Sequence, residues 1–511
     1  MSNKTIETFP SWREEETFSD SLYDWMQRMP WMAVSLAAHL IVFLVIQSIP
    51  WSLFNAQDEV IIHATVAPVA PPEFEDPPPE VELEDIETPE VVDEPVLVES
   101  TDIESETDTD QPFEDDAGDM EGLFDAPFES TSFNNLLGVG GGAGDLRKGS
   151  LGGNKNRIPG GRGTHESLTK ALRWLAEHQD ADGKWDADGF MKHDPAGDEC
   201  TGAGSAIHDV GLTGLAVLAF LGDGHTLNRE GPYRDNVLRA VWWLREQQDH
   251  ETGLIGNPIG HHYLYDHAIS TLALCEAYYF GRSAALRGNC QRAVNLISRA
   301  RNHYGAWRYE MPPNGDQDTS VTGWMVFALK SAKDSGLTID EDAFIGARNL
   351  FEEMTDPASG RVGYDSMGSS SSRIPGLNDH FPTDRGEAMT ATALLCRIFM
   401  GEDPDEPMLQ KHADLLLRSL PEWDPEAGIC DMYYWYYGTY AMFQVGGRHW
   451  KAWNNALKSA VLDSQRRDGS AAGSWDPAGP WGATGGRVYS TATMALSLEV
   501  YFRYARVAGA R

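Results

Sequence analysis

The sequence predicts an all-α fold, a double ring of twelve helices, and two observations carry that prediction. Between about residue 165 and the C-terminus, a polar amphipathic segment, a glycine-bearing turn and a nearly all-apolar segment follow one another six times; a period on this scale marks a repeat architecture. The second segment of each pair carries few charges, and a helix that is apolar all round is a buried one. Six pairs, none able to cover its apolar face alone, close into six inner and six outer helices, an α6/α6 toroid.

The outer segments begin near His165, Arg234, Leu286, Thr338, Met408 and Lys451. Leu168, Leu172 and Leu175, with Trp174 alongside, show the helical spacing of a surface helix with one apolar stripe. The inner segments run over about 209–221, 266–280, 318–332, 388–400, 433–445 and 489–504 and are rich in Ala, Leu, Tyr and small residues.

The turns between partners share a pattern. Gln179, Gly183 and Trp185 in QDADGKW fit QxxxGxW, and weaker copies follow in QQDHETGLIG, in RNHYGAW with Gly305 and Trp307, in TDPASGRVGY with Gly360, and in QRRDGSAAGSW with Gln465 and Gly469. The glycine permits the positive φ that ends a helix, the glutamine amide can cap free carbonyls, and the tryptophan wedges between neighbouring pairs. This QW repeat resembles that of squalene and terpene cyclases and their protein prenyltransferase relatives, over residues 164–511. The resemblance implies the same toroid; the motif itself is structural.

The chain has 511 residues and a formal net charge of −38. Residues 1–146 hold 33 acids and 3 bases, leaving 45 acids and 37 bases for the remainder. The acidity therefore belongs to the N-terminal part, and the near-balanced toroid gives no electrostatic reason to expect nucleic acid. Residues 1–30 read as a cytoplasmic segment, and 31–54 as an uncharged transmembrane helix with Trp31 and Trp51 at its ends;. Lys4, Arg13 and Arg28 precede the span and no base follows until Arg147. The positive-inside tendency then puts the toroid outside the cytoplasm, in a periplasm, with the chain held as a single-pass protein of the inner membrane. Residues 55–137 form an acidic, Pro/Glu-rich tether too charged to pack, and 138–163 a Gly-rich joint;. The five cysteines, Cys200, Cys275, Cys290, Cys396 and Cys430, lack CxxC spacing and read as buried thiols;.

Acids recur at the start of the inner segments. Asp209, Asp266 and Asp318 each have Thr or Ser four residues later, and Glu387 and Asp431 stand at the corresponding level. An acid there caps free amides and meets the positive end of the helix dipole. With all inner helices pointing one way, these groups converge on one mouth. The candidate catalytic groups are Asp318, Asp209, Asp266 and Glu387. The candidate ligand-binding groups are His208, Tyr265, His267, Trp324, Arg385, Asp431, Tyr433, Tyr434, Trp435 and Tyr489.

In the cyclases, the resemblance implies an acid of a DxDD motif that protonates an alkene or epoxide. Here the segment is Gly315-Asp316-Gln317-Asp318-Thr319-Ser320, with Gln317 at the proton donor and only Asp318 retained. A neutral amide cannot supply that proton. In the prenyltransferases it implies zinc held by Asp, Cys and His; here Asp431 remains, Tyr433 takes the Cys position, and Tyr489 and Ser490 stand where His is expected. No metal or other cofactor is expected on these grounds. A looser group, His193, Cys200, His208, Asp209, His261, His262 and His267, matches no local ligand pattern.

Ser35 and His39 lie four apart on one face of the span, and an ionisable residue in an apolar span is a functional candidate. With the tether that follows, this arrangement resembles TonB-type energy transducers, which contact a motor complex in the membrane. Three readings stand open: a membrane-tethered toroid binding an apolar (isoprenoid-like) or extended ligand such as a peptide, an acid/base enzyme of terpene-cyclase type, or a component coupled to a membrane motor.

Overall fold

The computed structural model describes residues 163–384 and 386–503, together with Leu40. The chain separates into two units, Met1–Asp108 and Thr109–Arg511, and all described residues except Leu40 lie in the second. The expected span 31–54 (Leu40 apart), its Ser35 and His39, the tether 55–137, the joint 138–162 and Arg385 lie outside the described residues. Among the described residues, no helix is long and apolar enough to cross a membrane.

Twelve helices alternate along the described chain. The outer ones are α1 (Thr164–Glu177), α3 (Arg234–Glu246), α5 (Ala284–Ala300), α7 (Asp342–Glu353), α9 (Pro407–Leu416) and α11 (Gly447–Leu462). The inner ones are α2 (Asp209–Gly222), α4 (Tyr263–Gly281), α6 (Thr319–Asp334), α8 (Ala388–Phe399), α10 (Met432–Val445) and α12 (Gly482–Leu498), followed by a short helical turn, Val500–Arg503. Each inner helix packs on the next, and α12 packs back on α2, so the inner ring is closed. Burial follows the pattern: α2 is buried from Gly211 to its end, whereas α3 buries only Val237, Ala240, Val241 and Leu244. All five cysteines are buried and free.

The helix starts fall within about four residues of the periodic reading, α7 beginning at Asp342 rather than Thr338 and α11 at Gly447 rather than Lys451, and one departs further;. The last inner helix starts at Gly482, seven residues earlier than the apolar run, because its first turn is glycine-rich and looks like a loop in sequence. A kink at Gly486 (φ 69°, ψ −168°) separates that turn from the rest. There the chain lies against the loop after α1: Arg487 N donates to Gly202 O at 2.8 Å, and a Cβ on Gly486 would fall 2.5 Å from Gly204 N.

The QW turns hold the ring through three bonds that recur. Gln179 Nε2 donates to Gly183 O within its own turn (2.8 Å) and to Asn236 O of α3 (3.0 Å). Gln248 does the same to Gly253 O and to Asn289 O of α5, at 3.1 and 3.0 Å. Gln465, in the last turn, reaches Gly473 O (2.8 Å) and Ser167 O of α1 (2.9 Å), and its Oε1 accepts from Ser167 Oγ. The clamp that joins one repeat to the next thus also joins the last to the first.

The tryptophan adds a second bond. Trp185, Trp307 and Trp475 are wholly buried, and each Nε1 donates to a carbonyl near the end of the preceding outer helix: Leu175, Ile297 and Val461, at 2.7–2.8 Å. The third bond explains the Thr of the inner segments. Thr213, Thr322, Thr390 and Thr491 accept the backbone N–H of Trp185, Trp307, Val362 and Trp475, and His267 Nδ1 accepts that of Ile255 in the second turn. Gly183, at φ 108°, has no room for a side chain, since a Cβ would lie 2.5 Å from the Arg239 carbonyl of α3.

Gln465 is buried, so its removal takes from Ser167 Oγ and O their bonds across the seam and from Gly473 O its bond within the turn. We expect Gln465→Ala to destabilise the protein by roughly 1–3 kcal/mol, read by denaturant unfolding. An unchanged midpoint would show that the seam is held elsewhere.

Candidate functional site

All six inner helices direct their N-terminal ends toward one cavity of about 160 Å³, room for on the order of ten waters. Its wall takes Gly211, Leu212 and Leu215 from α2, Tyr265, Asp266 and Ile269 from α4, and Ser320 and Trp324 from α6. Ala388 and Met389 come from α8, Tyr433 and Tyr436 from α10 with Asp431 at its cap, and Thr484, Tyr489 and Leu496 from α12. Loops add His208, His262, Tyr309, Tyr364 and the segment Ser371–Ile374. The wall is chiefly aliphatic and aromatic, with a few polar groups among them. Trp324 lies parallel to Tyr436, ring centroids 5.9 Å apart, and meets Tyr437 edge-on at 5.5 Å, so the floor is a rigid aromatic layer;.

The acids at the helix starts have separate fates. Asp209 accepts from Lys184 Nζ (2.6 Å) and Ala187 N (2.9 Å), and Glu387 is gripped by Arg361 Nε at 3.0 and 3.1 Å. Neither is among the residues lining the cavity. Asp266 does line it, 3.0 Å from His208 Nδ1. Burial acts against the His208 charge, but the Asp266 carboxylate, with Asp209 behind it, outweighs burial and raises the imidazole above its ordinary value. Burial raises Asp266 as well, against the pull of His208. Asp431 caps α10 through Tyr434 N (3.0 Å) and stands 3.7 Å from Arg373; burial raises it despite both.

Asp318 is the most secluded. It is wholly buried at the cap of α6, accepting from Val321 N at 2.7 Å, with Arg308 Nε at 3.7 Å. Burial pushes its carboxyl up to about 7, overcoming the amide, the guanidinium and a tyrosine that favour the ionised form;. It stands behind the cavity wall, and hydroxyls join it to that wall. Tyr364 Oη donates to Asp318 Oδ2 at 3.3 Å and bonds in turn to Tyr309 Oη, and both tyrosines line the cavity, as does Tyr265. Ser320 Oγ lies 2.7 Å from Tyr433 Oη on the neighbouring wall.

Of the expected ligand-binding residues, His208, Tyr265, Trp324, Asp431, Tyr433 and Tyr489 meet at the cavity. His267 is elsewhere: Nδ1 accepts from Ile255 N and Nε2 faces Ala293 O (3.2 Å), which fixes a neutral ring, and burial pushes it down to about 4. Tyr434 and Trp435 turn outward, against Trp453 and Trp423. Gln317, at the cyclase donor position, is near Glu353 Oε2 (3.3 Å) on the surface. The loose histidine group is divided, with His193 on Asp180, His208 on Asp266, and His267 in the wall between rings.

Tyr309, Tyr364, Arg373 and Trp481 were not singled out in the sequence. A signal for the first two exists: each stands two residues past the position that the inner-helix Thr anchors, Trp307 and Val362.

No known family and no curated protein matches the sequence. Among solved structures, the chain is similar to a type II terpene cyclase from Scytonema in complex with merosterolic acid A. The identity is 14%, the TM-score 0.43, and the match covers 66% of this chain and 96% of that one. Cellobiose 2-epimerase from Bacillus thermoamylovorans (16%, TM-score 0.45, 66% and 98%) and the GH76A α-1,6-mannanase from Salegentibacter (12%, TM-score 0.44, 66% and 98%) are similar to the same extent. Likeness at this level says nothing about activity. The double ring rests on the packing of this chain's own helices, and it is the architecture that the turn motif led one to expect.

Asp318 gives the site a pH signature. Its pKa is raised on folding, from 3.8 to about 7, so the native state holds a proton that the unfolded chain releases. The stability due to that proton is full below about pH 4 and is lost as pH rises to about 7. Asparagine keeps the cap without the charge. Unfolding of Asp318→Asn against the unmodified protein should therefore show the variant gaining relative stability between pH 4 and pH 8; a gap independent of pH would remove the shifted carboxyl.

Proposed function

We propose that the protein is a membrane-tethered, extracytoplasmic toroid that binds one small ligand, largely apolar with a polar end, in the cavity at the inner-helix N-termini. The wall of that cavity carries the proposal: an aromatic floor around Trp324 and Tyr436, aliphatic sides, and a few converging polar groups, His208 with Asp266, Asp431 with Arg373, and Ser320 with Tyr433. This is the usual composition of a small-molecule site. The acids already answer the helix dipoles, so the ligand need bring no charge of its own. An isoprenoid-like body fits such a wall. The uncharged stretch 31–54 and the acidic tether support the anchoring and the extracytoplasmic placement;.

One observation favours a second reading, an acid/base enzyme. A carboxyl brought near neutrality and joined to an apolar cavity by tyrosine hydroxyls is the arrangement that a general acid needs;. Once protonated, Asp318 would donate to Tyr364 in place of accepting from it and pass its proton through Tyr364 and Tyr309 to a bound substrate, and the couple of His208 and Asp266 at the same cavity would take one back.

Extraction of the purified protein followed by mass spectrometry separates the two. The binding reading expects one co-purifying apolar compound, unchanged in kind in Asp318→Asn, and roughly tenfold weaker retention in Trp324→Ala once an aromatic contact is lost. A compound that the unmodified protein converts, and Asp318→Asn converts at least about 100-fold more slowly, would replace binding by catalysis. Absence of any retained apolar compound would overturn the binding reading.

A further inference from the structure

Away from the cavity, the loop of residues 190–208 closes the seam of the ring, and three of the side chains around it form a compact donor set. The loop is tied to the last repeat: Asp198 Oδ2 accepts from Ser470 N (2.8 Å) and Ser470 Oγ (3.0 Å), Arg487 Nε donates to Thr201 O (2.7 Å), and Ser205 N donates to Thr484 O (2.8 Å). Its far end delivers His208 to the cavity wall.

Beneath the loop, His178 at the end of α1 faces Asp194 and Cys200. His178 Nε2 is 2.8 Å from Asp194 Oδ1 and 4.0 Å from Cys200 Sγ, and Asp194 Oδ2 accepts from Cys200 N at 2.7 Å. The three donor atoms lie within 4.8 Å of one another. All are secluded, with the His178 and Asp194 side chains 4% and 2% exposed and Cys200 7%.

The tautomer of His178 is fixed by a second contact. Nδ1 stands 2.7 Å from Trp174 O, an oxygen that can only accept, so Nδ1 carries the hydrogen. The ring is further held flat on Trp174, centroids 4.0 Å apart. Nε2 faces the Asp194 carboxylate, to which it donates when the ring is imidazolium and offers a lone pair when the ring is neutral, so a cation in place of that proton would be held by both groups;. A ligating histidine with its other nitrogen bonded to a backbone carbonyl is the arrangement that metal sites use. Nitrogen, carboxylate oxygen and thiolate together suit zinc, and three protein ligands leave a fourth position for water. Bonds of about 2.0–2.3 Å imply ligand separations of about 3.3–3.7 Å; Nε2 stands 2.8 Å from Asp194 Oδ1 and 4.0 Å from Cys200 Sγ, and all three atoms lie within 4.8 Å of one another, so binding requires the side chains to shift by about half an ångström or more.

We propose that His178, Asp194 and Cys200 bind one zinc-type divalent cation, which staples the seam loop to α1. On binding, the metal accepts lone pairs from Nε2, a carboxylate oxygen and Sγ. The Cys200 thiol proton, and the Nε2 proton wherever the ring is imidazolium, pass to solvent, with no change of oxidation state. The spacing of these residues in sequence, sixteen and six apart, matches no local ligand motif, and the site is independent of what the cavity binds.

The test uses the purified full chain. Elemental analysis should find one zinc per chain, lost in His178→Ala and Cys200→Ser. Chelation should lower the unfolding temperature and added zinc restore it. Cobalt(II) put in place of zinc should show a thiolate charge-transfer band that Cys200→Ser lacks. Cobalt is read on the unmodified chain, so the result does not depend on whether a variant folds. An unmodified chain whose unfolding temperature is indifferent to chelator and zinc and which shows no cobalt–thiolate band, or a Cys200→Ser chain that keeps its full zinc, overturns the site.

Discussion

The clamp between a QW turn and its neighbours governs the rest of this structure. A buried glutamine amide joins its own turn to the next outer helix, and an inner-helix threonine or histidine takes the backbone N–H at the tryptophan position. A buried amide left without partners costs about 1–3 kcal/mol, so the three turns that carry the glutamine, the first, second and last, are held to one arrangement. Gln465 reaches Ser167, and the ring closes. The same repetition sets all six inner helices parallel, with their N-termini together.

What those N-termini carry then depends on neighbours. An acid at a helix start is favoured by the dipole by a fraction of a kcal/mol, too little to decide its protonation. Asp209 and Glu387 lie within reach of Lys184 and Arg361 and are held in ion pairs. Asp318 is wholly buried and has a guanidinium only at 3.7 Å, so desolvation dominates and its carboxyl moves toward neutrality. Five acids of similar sequence context thus become structural anions, a paired Asp266–His208 couple, and buried groups behind an apolar wall.

The seam is where the two proposals meet in space without depending on one another. The loop that carries His208 into the cavity also lies over His178, Asp194 and Cys200 and is bonded to α12 and the last turn. Anything that orders this loop orders one wall of the cavity, because the segment from Cys200 to His208 is short and is bonded to α12 at Arg487 and Thr484 along its length.

Periodicity alone determined the twelve helices, their inner and outer assignment, and the convergence of acids at one end, since a repeat that must bury an apolar face has few ways to do so. The start of α12 was hidden because Gly482–Gly486 has the composition of a loop, and only contact with Gly202 and Gly204 makes it an entry turn. Which acids would be neutralised, that Tyr434 and Trp435 face outward while Tyr433 and Tyr436 face in, and that Tyr309 and Tyr364 link Asp318 to the cavity, were decided by tertiary structure. So was the meeting of His178 with Asp194 and Cys200. Protonation and coordination depend on distances of a few ångströms between residues far apart in the chain, and a sequence encodes the ring that sets those distances without displaying them.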